Sequence, residues 1–182
     1  KFHLSERVEE VKKDDINWIV KTNNGKIFST PNVIIAGGVG SFEPRKFPVK
    51  ECEKFENKSV FYSVKDKKIF EGKTVAIFGG GDSASDWAVE LSKNSKVNLI
   101  HRREEFRGAQ ATVNKVHALV KEGKINLFTK YQMTSVKGNG QLESIDIKND
   151  DEEKKTIKVD YVLGFFGLIM QLGPIANWGC LL

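Results

Sequence analysis

Gly79-Gly80-Gly81-Asp82-Ser83-Ala84 constrains this chain more than any other stretch, because of what stands on either side of it. An apolar strand pattern, Thr74-Val75-Ala76-Ile77-Phe78, leads in. Ala84, Trp87, Ala88 and Leu91 then recur at i, i+3, i+4 and i+7, which predicts one buried face of a helix over 83–93. A second apolar strand, Val97-Asn98-Leu99-Ile100, ends in His101-Arg102-Arg103, with Arg107 in the loop beyond. Strand, glycine turn, helix and strand in this order make a βαβ unit whose first turn reads G-x-G-x-x-A. Gly79 allows a sharp exit from the strand. Gly81 lacks a Cβ, so backbone can approach a pyrophosphate, and Ala84 is small enough for the helix to pack on the strand. The helix amino terminus offers unpaired N–H groups and a partial positive charge to phosphates. Asp82 or Ser83 can cap it. The plain alternative is a structural turn with no ligand.

The residue type about 20 positions further on selects the dinucleotide. An acidic side chain would bind the ribose 2′-hydroxyl of NAD. Here the window holds His101, Arg102 and Arg103, with Arg107 near enough to join. The planar guanidinium fork suits a 2′-phosphate. The predicted ligand is therefore NADPH, on Gly79, Gly80, Gly81, Asp82, Ser83, Ala84, His101, Arg102, Arg103 and Arg107. Glu104 and Glu105 keep NAD open as the alternative, although their place after two arginines favours a solvated or paired role. His101 either reaches the ligand or packs at the strand end.

The first forty residues read as a β-meander with strands over 7–11, 17–22 and 26–29 and a hairpin turn at Asn23-Asn24-Gly25. Asn32-Val33-Ile34-Ile35-Ala36 is a continuous apolar run, as expected of a parallel strand covered on both sides. Gly37-Gly38-Val39-Gly40 leads into no helix and reads as a turn touching a cofactor of the first unit. A polar segment with Pro44 and Pro48 reads as an interdomain crossing. After the βαβ unit, a helix is expected over 109–122, with Val113, Val116, His117 and Val120 on one side and Gly123 as its stop. Strands follow over 125–128, 132–136, 142–147, 155–159 and 161–165. The fourteen residues GKIFSTPNVIIAGG from Gly25 match KKTIKVDYVLGFFG, which begins 129 positions later at Lys154. Such a repeat places the first copy's own glycine loop about 50 residues before Lys1. The expectation is an α/β fold, a parallel sheet with helices plus an antiparallel β-meander, with one complete dinucleotide-binding unit and part of a second. Boundaries fall at 1–46, 47–167 and 168–182, and the chain reads as an internal fragment.

The net charge of +5 comes largely from scattered lysines, either a solvated surface or a docking face for an acidic partner. No basic stripe interleaved with aromatics occurs, so no nucleic-acid partner is expected. Cys52 and Cys180 form no C-x-x-C, which excludes a local dithiol or zinc knuckle; no metal site is expected, and a reducing, cytoplasmic setting fits. Tyr161–Leu182 is uncharged for 22 residues, but Gly164, Gly167, Gln171, Gly173, Pro174, Asn177 and Gly179 break it, so no membrane span is expected.

The segments VIIAGGVGSFEPRKFPV (33–49), VFYSVKDKKIFEGKTVAIFGGGDSASDWAVEL (60–91), VNLIHRREEFR (97–107) and FFGLIMQLGPIANWG (165–179) together resemble the flavoproteins of the thioredoxin reductase type, above all their ferredoxin–NADP reductase branch. The redox C-x-x-C of thioredoxin reductases proper is missing, since Tyr62-Ser63-Val64-Lys65-Asp66 stands in its place. The resemblance implies a Rossmann-like FAD/NAD(P)-binding fold and hydride transfer between NADPH and FAD, then single electrons to ferredoxin or flavodoxin. It also implies Gly167 among the NADPH contacts, Val8 and Phe42 among the FAD contacts, and a homodimer of the full-length protein. No side chain is assigned acid, base or nucleophile. Phe61 and Tyr62 either flank the nicotinamide or pack in the core. The chain alone is expected to be colourless and inactive. A related NADPH-dependent flavin enzyme with another acceptor, and a non-catalytic NADPH-binding module, remain as alternatives.

Overall fold

In the computed structural model, residues 1–37, 41–171 and 173–179 are described, without the side chains of Ser41, Phe42, Met170 and Gln171. Gly38-Val39-Gly40 of the expected glycine turn, and Cys180, lie outside the described residues. The chain divides into two compact units, Lys1–Glu43 with Ile169–Leu182, and Pro44–Leu168.

In the first unit, β1 (Val8–Lys13), β2 (Trp18–Thr22) and β3 (Ile27–Thr30) form an antiparallel meander in that order. The hairpin between β2 and β3 turns at Gly25, whose φ of +76° lies where a side chain is strained. The expected strand Asn32–Ala36 is not a strand, and Ile34 is 91% exposed. No described strand lies beside it, so its amides and carbonyls have no ladder partner, and apolar composition alone does not make a strand. β4 (Ser41–Pro44) then carries the chain onward.

The second unit opens with a 3₁₀ turn, Lys50–Phe55, then β5 (Val60–Phe61) and a second 3₁₀ turn, Lys67–Phe70. The βαβ unit follows as β6 (Thr74–Phe78), α1 (Asp82–Leu91) and β7 (Lys96–His101). Next come α2 (Gln110–Lys121), β8 (Ile125–Thr129), the meander β9 (Tyr131–Lys137), β10 (Ser144–Asn149) and β11 (Lys154–Lys158), and β12 (Tyr161–Gly164). β13 (Leu168–Gln171) pairs with β4. The main sheet is parallel, in the order β5-β12-β6-β7-β8.

Alternation along β6 explains the layers. Val75 and Ile77 point to one face, where they meet Ala84, Ala88 and Leu91 of α1 and Val116 of α2. Ala76 and Phe78 point to the other, against Val136, Ile145 and Ile147 of the meander and Phe47 and Phe55. A sheet covered on both faces reads as a near-continuous apolar run, as 75–78 does; in β7 the run is interrupted by buried Asn98, whose Oδ1 accepts from the Asn126 side chain at 3.0 Å. Each fully buried aliphatic side chain contributes about 1.5–3 kcal/mol. On α2, Val113 and Val116 are buried and His117 is exposed. The buried stripe runs through Val113, Val116 and half-buried Val120, and His117 lies beside it with Phe106 edge-on at 6.2 Å. Among the described residues no helix is long and apolar enough to cross a membrane.

Candidate functional site

A cleft of about 430 Å³ opens in the second unit where β6 and β7 end, with Gly79, Gly80 and Gly81 along it. Each glycine is there for a different reason. Gly79 has φ +148°, and a Cβ on it would stand 2.6 Å from the Phe165 carbonyl oxygen and 2.8 Å from the Ala84 Cβ. Gly79 and Ala84 are therefore the close contact between loop and helix. A Cβ on Gly80 would collide with the His101 ring. A Cβ on Gly81 would meet nothing within 4 Å. Gly81 is the residue that leaves open space at the amino terminus of α1.

That terminus has no side-chain cap. Neither Asp82 nor Ser83 plays the capping role anticipated for them. Gly81 holds the N-cap position and Asp82 is already the first helical residue. The Asp82 Oδ1 instead accepts the Ala109 N–H at 2.6 Å, at the start of α2. Ser83 is exposed on the first turn. The amides of this turn remain available to an anion.

Arg102, Arg103 and Arg107 line the cleft, and none makes an ion pair with a described residue. Glu104 instead pairs with Lys130 at 2.8 Å, and Glu105 is exposed. Arg45 and Lys46 also reach the cleft, with Lys46 paired to Glu56. No carboxylate is among the described residues that line it. The surroundings thus favour a ligand with several negative charges.

His101 lines the cleft but is only 8% exposed. Its Nε2 faces the Glu105 carbonyl at 3.0 Å. Burial pushes its pKa below the ordinary value of 6.5, the Glu105 contact opposes this, and Arg103, Arg102 and Arg107 add to the lowering. The imidazole is therefore neutral at pH 7, and facing a carbonyl it carries its proton on Nε2.

Of the other expected residues, Gly167 lines the cleft with φ +87°, and its carbonyl accepts the Arg45 N–H at 3.0 Å. Ala84 is buried beneath the loop. Val8 and Phe42 belong to the first unit. Val8 lies in edge strand β1, in register with Thr22, and Phe42 lies in β4 with its side chain outside the described residues. Phe61 and Tyr62 are core residues rather than cleft residues. Phe61 stacks edge-on against Phe70 at 6.1 Å, and the Tyr62 hydroxyl accepts the Phe47 N–H at 3.2 Å. Cys52 is 1% exposed, and burial pushes its thiol up to about 12, so it is no nucleophile at neutral pH.

Sequence reasoning missed Arg45 and Lys46, read only as a crossing, and Tyr131, Gln132 and Met133 of β9. Tyr131–Met133 reaches the cleft because the meander packs on the face of the sheet opposite the helices. No local pattern announces that.

The sequence matches the pyridine nucleotide-disulphide oxidoreductase family over residues 1–180. It is 66% identical over 179 residues to the ferredoxin–NADP reductase of Pelagibacter ubique, an alignment covering 98% of this chain and 53% of that protein. To the ferredoxin–NADP reductase of Parvibaculum lavamentivorans it is 51% identical over 181 residues, covering 98% of this chain and 52% of that one. The fold matches the crystal structure of T. acidophilum thioredoxin reductase with a TM-score of 0.76 and 26% identity, over 97% of this chain and 57% of that one. The chain spans about half the length of the curated relatives it matches. With a glycine loop at a parallel strand end, a meander behind it and a match running nearly from end to end, the chain belongs to the pyridine nucleotide-disulphide oxidoreductase family and has its Rossmann-like FAD/NAD(P)-binding fold.

Proposed function

We propose that the second unit binds NADPH and that the whole protein is a flavoprotein of the ferredoxin–NADP reductase type. The observation that carries this is the cleft itself: three arginines with no ion-pair partner among the described residues, beside an uncapped helix terminus and with no carboxylate among the described lining. The pyrophosphate lies along Gly79, Gly80 and Gly81 and takes the first-turn amides of Asp82, Ser83 and Ala84. The 2′-phosphate meets Arg102, Arg103 and Arg107. Gly167, with no side chain, gives the rest of the dinucleotide close access to backbone.

FAD belongs to the first unit, where the outer edge of β1 at Val8 has no strand paired to it among the described residues and β4 brings Phe42. When bound, FAD accepts hydride and passes single electrons on, and this chain's residues bind, orient and screen. The acceptor is ferredoxin, as named for the curated relatives, or a flavodoxin of the same one-electron chemistry. The setting is cytoplasmic, and the longer protein is a homodimer. A dithiol route is disfavoured because Cys52 is buried with a raised pKa and no cysteine lies in 62–66.

The test is a titration of the purified chain with NADP⁺ and with NAD⁺, repeated on Arg102→Ala. The unaltered chain prefers the 2′-phosphorylated form. Loss of one charge-assisted contact lowers that preference about 10- to 100-fold. Unchanged discrimination in the variant would remove Arg102 from the site, and no preference in the unaltered chain would end the NADPH assignment.

A further inference from the structure

The segment from Arg102 to Ala109 forms no helix or strand, yet it carries three guanidinium groups into one cleft. Like charges so placed repel one another, and a free loop would splay them. Besides the Lys130 N–H, which donates to the Arg103 carbonyl at 3.4 Å, three hydrogen bonds tie the loop down. The Arg107 N–H donates to the Gly80 carbonyl at 2.7 Å. The His101 Nε2–H donates to the Glu105 carbonyl at 3.0 Å. The Ala109 N–H donates to Asp82 Oδ1 at 2.6 Å.

Two of the three use side chains, and both side chains act from behind the loop. The His101 ring occupies the space left by the absent Cβ of Gly80, with the Phe106 ring tilted against it at 5.2 Å. The Asp82 carboxylate lies against Gly108, where a Cβ would stand 3.2 Å from Oδ1. Each side chain spends its bond on the loop's backbone rather than on open cleft. Resting on the NADPH assignment above, we infer that His101 and Asp82 are positioning residues for coenzyme selectivity, clamping the arginine loop to the glycine loop so that the three guanidinium groups are held ready for a 2′-phosphate. Ordering is then complete before the ligand arrives, and binding does not pay for it again. The neutral state of His101, kept by burial, suits this role, since a neutral ring adds no fourth positive charge to the group.

The probes are 2′,5′-ADP and 5′-ADP, which differ only in the 2′-phosphate, titrated into the full chain. His101→Leu keeps bulk and removes the donor, whereas His101→Gln restores an N–H near the Nε2 position. Asp82→Ala removes the acceptor, and Asp82→Asn keeps it. Asp82 is exposed, so its replacement leaves the core intact whatever His101→Leu does to folding. His101→Leu and Asp82→Ala are expected to weaken 2′,5′-ADP binding about tenfold more than they change 5′-ADP binding. The Gln and Asn variants should recover most of the loss. Backbone amides of Arg107 and Ala109 should exchange with deuterium faster in the weakened variants. Equal weakening of both probes, or none of either, overturns the positioning role. If Arg102→Ala abolishes selectivity and neither His101→Leu nor Asp82→Ala lowers it, the clamp fails while the NADPH assignment stands. If the unaltered chain does not separate the two probes, both fall.

Discussion

Two fourteen-residue stretches of this protein share a pattern and meet different fates. Gly25–Gly38 and Lys154–Gly167 each run from a meander edge strand through a polar break into an apolar run that ends in glycine. In the second stretch the run becomes β12, paired with β5 on one side and β6 on the other, and Val162 and Leu163 are fully buried. In the first it is no strand, and Ile34 stands 91% exposed. The difference lies outside both stretches. A parallel strand takes its hydrogen bonds and its cover from elements distant in sequence, so the same letters fold only where those neighbours stand.

The strongest way to press on the contrast is a charge on the covered side. Leu163→Asp buries a carboxylate with no partner and is expected to cost more than about 4 kcal/mol. The cooperative unfolding transition of the second unit should vanish by circular dichroism, and survival of that transition would show that β12 is not a central strand.

Acid is a gentler probe of the same unit. His101 closes β7, and its folded pKa lies below the ordinary 6.5. The unfolded chain therefore binds this proton more readily, so the His101 contribution is present above pH 6.5 and is lost as pH falls through and below it. Glu90 and Asp146 are held down to about 2 by their lysine partners and stay ionised in that window. The urea midpoint should be lower at pH 5.5 than at pH 7.5. Equal midpoints would mean that the ring is solvated.

The smallest effect is expected at the uncovered run. Ile34→Ser should change stability by less than about 0.5 kcal/mol. A loss above about 1 kcal/mol in the same denaturant titration would show the run to be covered in solution and would dissolve the contrast.

What was legible in the sequence depends on the reach of the signal. The Asn23-Asn24-Gly25 turn, the face of Ala84, Ala88 and Leu91, and the loop at Gly79 rest on neighbours a few residues away, and they fold as their patterns say. Local pattern ties Asp82 to the end of its own helix, because nothing nearby in sequence reveals a partner 27 residues further on. Strand β5, two residues long, has no period to detect. Tyr131, Gln132 and Met133 enter the cleft through sheet order alone. The coenzyme proposal rests on glycine spacing and arginine placement, which are themselves local. The kinship with ferredoxin–NADP reductases followed from four matched segments and from a dithiol that is not there.

The bond from the Arg45 N–H to the Gly167 carbonyl has a consequence for how such a molecule changes over time. It fastens the entrance of the second unit to its exit, so that everything between them is a closed excursion of the chain. A cassette with its ends stapled together can be cut out, replaced or retuned for another coenzyme, and the polypeptide that carries it registers only a change of contents between two fixed points.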